Sequence, residues 1–230
     1  MAGFKTHIST STTLGVAYGC AAYSWYGAPW ESSLLAGALC SVAGMLPDLD
    51  SDTGTPIKES LAFGAACVSM MMMERFRSLD SNHETMVLAG VIGYVVMRFG
   101  IGWMLKSFTV HRGMFHSIPA CAIAAEAAFL MATGDLDTRL FKAGGVVLGF
   151  MSHLVLDEIW SIDVMKARIK SSFGTAIKFF GNSPVANLCA YGMLAMISVL
   201  VFHDPIWIDS PPQTQQLHQL ANTIFDAVLR

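Results

Sequence analysis

The sequence predicts an all-α fold: a multi-pass helical membrane bundle of about six or seven helices, with a metal-type site at the helix ends. Three observations predict it. Of the 230 residues, 53% are hydrophobic and only 13% charged, with a mean hydropathy of +0.51, whereas an ordinary soluble domain is roughly one quarter charged. The apolar segments are long and rich in Ala, Leu, Met and Gly, and they lack the period-two alternation of strands bounded by hairpin turns. Clusters of His, Asp and Arg fall at or near the breaks between those segments. A very apolar soluble helical bundle is the competing reading of the same composition. The length suits one domain and no Ser/Gly-rich linker divides it. Residues 1–230 are therefore expected to form a single helical membrane unit, with a motif-bearing part over 6–157, a basic loop and last transmembrane helix over 160–204, and a polar tail over 205–230.

In chain order, Lys5 followed by an uncharged stretch to Trp30 has the outline of a secretion signal. The hydroxyl run from Ser9 to Thr13 is poor material for a signal core, so these residues are expected to stay in the mature chain. Apolar segments follow over Ser32–Leu46, Leu61–Met73, Met86–Leu105 around Arg98, Ile118–Ala132 around Glu126, and Ala143–Leu156. Each fits a span, a re-entrant helix or a buried core helix. The strongest membrane signal is Phe179–His203, which holds no Asp, Glu, Lys or Arg and meets the roughly 20 residues that a bilayer core requires. Breaks are expected at 27–29, 47–56, 77–84, 106–113, 134–138, 171–184 and 204–212, where Gly, Pro, Asp and basic residues gather. Lys166, Arg168, Lys170 and Lys178 precede the last span, whereas Asp204 and Asp209 follow it with only Arg230 beyond. Excess Lys and Arg mark cytoplasmic loops, so the basic loop is expected inside and the tail outside.

Several features carry plainer readings. Cys20, Cys40, Cys67, Cys121 and Cys189 stand singly, without a Cys-x-x-Cys pair or an even count, and read as small buried residues. Met70 to Met73 point around a whole helix turn and read as core or lipid contacts rather than a copper site. Glu126 and Arg98 would pair, line a cavity or lie near an interface. His83, His203 and His218 have no acidic partner at ligand spacing and read as non-ligands. A net charge of −3 gives no support to nucleic-acid binding; the expected partner is the lipid bilayer.

Three polar clusters carry the chemistry. His153 and Asp157 are four apart, so on a helix they share one face and can grip one ion; a hydrogen-bonded His beside a surface Asp would read the same way. Asp48 and Asp50 follow Pro47, and an extended backbone there would send both carboxylates to one side; a solvated turn is the plainer alternative, and it also accommodates Asp52. His111 and His116 flank Gly113, and Ser117 with Pro119 reads as an N-cap and first helical turn. Arg112 would reach an anionic ligand held near that helix start. An interfacial basic loop would explain Arg112 but not both histidines.

The ordered set Thr6-His7, Pro47-Asp48-Leu49-Asp50, His111-Arg112-Gly113-x-x-His116-Ser117 and Gly149-x-x-x-His153-x-x-x-Asp157 resembles the YdjM-type family of LexA-regulated, membrane-bound, metal-dependent hydrolases. The motifs cover residues 6–157, and 160–230 carries no matching motif. The resemblance implies a multi-pass protein of the cell inner membrane with a divalent-metal site built from His7, Asp48, Asp50, His111, His116, His153 and Asp157. A more distant likeness to helical zinc-dependent phospholipases C and fungal zinc nucleases implies phosphoester hydrolysis. No His-Glu-x-x-His helix supports peptide cleavage. Imidazoles and carboxylates without thiolates suit Zn²⁺ first, with Mn²⁺ or Fe²⁺ as alternatives, and seven candidates exceed the needs of one tetrahedral ion. Two ions fit, with Asp50 bridging them and Arg112 stabilising developing negative charge. The expected activity is therefore hydrolysis of a phosphoester or lipid-linked substrate by metal-activated water. A transporter path or a structural metal clamp is the non-enzymatic alternative.

Overall fold

The computed structural model describes residues 3–50, 55–101, 114–163, 168–169, 174–207 and 219. Among them are seven α-helices, in agreement with the all-α expectation: α1 (Phe4–Tyr26), α2 (Trp30–Ala43), α3 (Thr55–Ser78), α4 (His83–Val95), α5 (Ile118–Met131), α6 (Leu136–Ile159) and α7 (Pro184–Phe202). A π-helical stretch (Val96–Ile101) prolongs α4, and short 3₁₀ turns lie at Pro47–Asp50 and Pro205–Trp207. The only extended pairing among the described residues is a two-residue antiparallel match of Ile162–Asp163 with Arg168–Ile169.

Local chemistry sets the boundaries. Gly27 ends α1 in the left-handed conformation (φ 64°), with its N–H donating to Ala22 O, a geometry that penalises a Cβ. Asn82, Ser117, Asp135 and Ser183 cap α4, α5, α6 and α7 by accepting from the backbone amide three residues on, so each satisfies one of the amides that a helix start leaves without a partner. The Ser117–Pro119 start expected from sequence is therefore present.

Among the described residues two helices are long and apolar enough to cross a membrane, α6 with 24 residues and α7 with 19, or about 36 and 28 Å at 1.5 Å per residue. They differ in setting: α6 lies in the middle of the bundle, whereas no residue of α7 is buried. Ser198 on α7 donates to Glu126 Oε1 on α5 at 2.8 Å, which gives the intrasegment carboxylate a partner from the neighbouring helix. Cys40 and Cys121 are buried, but Cys20 and Cys189 are exposed. That corrects the expectation of five buried thiols; these two lie on outward faces of α1 and α7.

The helices around the centre meet through small residues. α2 packs between α1 and α6, α5 packs on α6 and α7, and α3 forms an antiparallel pair with α4. A Cβ added at Gly15 would come within 2.3 Å of Gly37 O, and one at Gly149 within 2.0 Å of Cys40 O. Such approach is available only to glycine, and it brings backbones close enough for dispersion and polar contacts to hold helices where lipid is as apolar as Leu. The small residues recur every fourth position, Ser11, Gly15 and Gly19 on α1 and Gly145 and Gly149 on α6. Continuing each row by the same step reaches His7 on α1, and His153 and then Asp157 on α6. The contact surface and the polar cluster thus share one helical register.

Candidate metal centre

Five side chains from separate parts of the chain converge: His7 in the first turns of α1, Asp48 in the turn after α2, His116 just before α5, and His153 and Asp157 in the last turns of α6. His7 Nε2 lies 3.3 Å from Asp157 Oδ1, and His153 Nε2 lies 3.5 Å from Asp48 Oδ1 and 3.9 Å from Asp157 Oδ2. His116 Nε2 is 3.7 Å from Asp48 Oδ1. The His7 and His153 rings stack at 3.7 Å, and His116 meets His153 edge-on at 5.5 Å. His7, His116, His153 and Asp157 are all buried, while Asp48 keeps 15% of its side chain exposed.

The orientation of His153 has an identifiable cause. Its Nδ1 lies 2.8 Å from Gly44 O, a contact that places the proton on Nδ1 and leaves the Nε2 lone pair directed into the cluster, as an outer hydrogen bond does for metal-ligating imidazoles. Gly44 can offer that carbonyl at close range because Ser11 occupies the space of its absent side chain, with a hypothetical Cβ only 2.3 Å from Ser11 Cβ.

The donor set fits a divalent cation on two grounds. Buried imidazole nitrogens on His7 (Nδ1), His116 (Nδ1 and Nε2) and His153 (Nε2) have no hydrogen-bond partner, a costly condition in a protein interior. In addition, one donor atom each from His7, Asp48 and His153, and likewise from His116, His153 and Asp157, lie within 4.8 Å of one another. Ligands about 2.0–2.1 Å from a tetrahedral ion stand roughly 3.3 Å apart, close to the separations between these residues. Asp48, outside the spanning helices, has its carboxyl held below the usual carboxylate range. Burial pushes it up, and the nearby imidazoles of His116, His153 and His7 outweigh that push.

Other expected residues stand differently. His111 and Arg112 lie outside the described residues, as do Asp52, Lys166 and Lys170 of the basic loop and most of the polar tail. For Asp50 only the backbone is described, and it belongs to a 3₁₀ turn with Pro47 and Asp48. This corrects the expectation of an extended stretch, since the backbone from Pro47 to Asp50 is coiled into a 3₁₀ turn. His83 and His203 are exposed at helix ends remote from the cluster.

Sequence reasoning missed a second buried polar group at the other end of the bundle. Asp204, just after α7, pairs with Arg75 of α3 and, at 2.9 Å, with Arg139 of α6. Lys142 is buried beside them and donates to Thr133 O at 3.1 Å. The available signal was the presence of cationic residues near the ends of otherwise apolar segments. It missed Gly44 as well, because a backbone carbonyl leaves no side-chain signature.

An all-helical bundle in which two of the described helices are long and apolar enough to cross a bilayer fits a helical membrane protein. The chain belongs to the YdjM inner membrane protein family, whose family model matches residues 1–167. Neither a curated protein nor a solved structure matches it.

Proposed function

We propose that the cluster binds one or two divalent transition-metal ions, Zn²⁺ foremost, and that the protein is a membrane-bound metal-dependent hydrolase of a phosphoester or lipid-linked substrate. The observation that supports this most is the convergence of largely buried imidazole and carboxylate donors from five residues, in two groups whose donor atoms lie within 4.8 Å of one another. A cation shared among these donors offsets the cost of burying them together.

When bound, the ion supplies Lewis acidity and a source of hydroxide at neutral pH. The residues then divide the remaining tasks. His153 is held in one tautomer by Gly44 O, and Asp157 anchors His7. Asp48 is the partly exposed carboxylate of the cluster, so it lies where solvent and substrate would approach. Arg112 is assigned to the negative charge that builds on a phosphoryl oxygen, and Asp50 to the bridge between two ions. Association with the lipid bilayer follows from the family; further spans beyond α6 and α7, making the chain multi-pass, belong to the proposal.

A structural metal clamp is the second reading, favoured by the near-complete burial of four of the five clustered residues. Elemental analysis of detergent-purified wild type, Asp48→Ala and His116→Ala tests the metal site. About one or two equivalents in wild type, lost in both variants, are expected; metal-free wild type after reconstitution with Zn²⁺ or Mn²⁺ would sink the reading. Turnover of bis(4-nitrophenyl) phosphate and of phospholipids by the loaded protein then separates a hydrolase from a clamp, which would show stabilisation by metal and no turnover.

A further inference from the structure

Chain direction determines which connections lie at the cluster end of the bundle. His7, Asp48, His116 and Asp157 meet there, so the connections 44–54, 102–117 and 160–183 begin and end at that level. The α3–α4 pair agrees: Gly64 faces Val42 and Met97, whereas Gly90 faces Met73, which sends Ile101 back toward the cluster. The opposite end receives the connections 27–29, 79–82 and 132–135 and the chain after His203.

Charge differs sharply between these two sets. Lys106, Arg112, Lys166, Arg168, Lys170 and Lys178 belong in sequence to connections at the cluster end, whereas the opposite connections and tail contain only Arg230. Within helices, Lys5 and Lys58 lie toward the cluster end. At the far end Arg75 and Arg139 are paired on Asp204, Lys142 is buried, and Arg77 is exposed. Basic residues in short connections are those that set orientation, and they stay cytoplasmic.

The surface beside the cluster is also distinctive. Ile159, Trp160, Ile162, Ile177, Phe179 and Phe180 are exposed, each by 41% or more. They flank the site, since Lys178 O accepts from Ile118 N at 2.9 Å and Glu158 accepts from the amides of Gly174 and Ala176. Gly181 in turn faces Met114. Aromatic and aliphatic side chains interleaved with lysine are the composition of anchors at the headgroup layer, where anionic lipid adds attraction for each cation.

We propose that this rim docks on the anionic headgroup layer of the cytoplasmic leaflet, so that the His–Asp cluster opens on the cytoplasmic side at headgroup depth and receives its ligand from there. The placement does not require the hydrolase reading. Sealed membranes test it on the wild-type chain: trypsin should cut within 166–178 in inverted vesicles and spare that segment in spheroplasts. Full-length chains lacking the native cysteines provide the second arm. Trp160→Cys should react with an impermeant maleimide only in inverted vesicles, and Leu79→Cys only in spheroplasts. The reverse pattern, or both positions reacting from one side, would overturn the sidedness. For depth, a bimane on Phe180→Cys should be quenched more by a nitroxide near the lipid headgroup than by one near the acyl-chain end; equal or reversed quenching would overturn the docking. None of these readouts involves metal or turnover, so their failure is separate from failure of the metal site.

Discussion

The two ends of α6 both bury charge, and they neutralise it differently. At its N-terminal end Arg139 shares Asp204 with Arg75, so protein groups answer one another. At its C-terminal end, about 21 Å away along the helix between Arg139 and His153, imidazoles meet carboxylates at 3.3–3.9 Å, and several of the nitrogens make no hydrogen bond. The first arrangement is complete as folded. The second offers donors that could hold an added cation, as proposed, and the contrast separates a structural polar group from a candidate functional one more clearly than burial alone, which is near total at both.

The largest effect should come from breaking the incomplete end. His153→Ala or Asp157→Ala is expected to abolish metal retention and any turnover while far-ultraviolet circular dichroism stays helical; retained metal in both would remove the contrast. At the complete end, Arg139→Met should leave metal content unchanged but cost about 3–5 kcal/mol, because Asp204 loses a buried partner. Denaturant unfolding in mixed micelles measures this, and replacing Arg75, Asp204 and Arg139 together by apolar residues should recover most of the loss.

Between the ends, Gly149→Ala forces a methyl group against Cys40 O, with an expected cost of about 1–3 kcal/mol and weaker metal retention, since His153 lies one turn further along. A stable variant with full metal content would show that α2 and α6 need not approach so closely. The smallest effect is at the cap of α6. Asp135→Ala should cost about 1 kcal/mol. Hydrogen bonds from Thr138 lower the Asp135 carboxyl below its ordinary value, so the contribution is full above the unfolded pKa of about 4 and disappears as pH falls through the folded value. Stability of the variant should therefore approach wild type in strong acid.

Much of the fold was legible because its signals are local. Ser117 with Pro119 announces a helix start within three residues, and the i, i+4 spacing of His153 and Asp157 gives their shared face without tertiary information. His7 entered only through the family resemblance, since its partner lies in a different helix. The backbone at Asp48 was misread because Pro47 permits extended and 3₁₀ conformations alike, and composition does not choose between them. The Asp204 pairs join residues 65 and 129 apart in the chain, beyond any local pattern. By contrast, the four-residue rows of small side chains on α1 and α6 were present in the sequence as a period, and they indicate which faces meet.

The contact between His7 and Asp157 also has a consequence for biogenesis. The two residues are 150 positions apart, so a ribosome adding about 5–20 residues per second completes the cluster roughly eight to thirty seconds after His7 is made. Until α6 is synthesised and placed beside α1 and α2, His7 and Asp48 have only part of their final company. If the cluster binds metal as proposed, its loading would be deferred to the assembled bundle, and an occupied cluster would certify that the first and sixth helices have found each other.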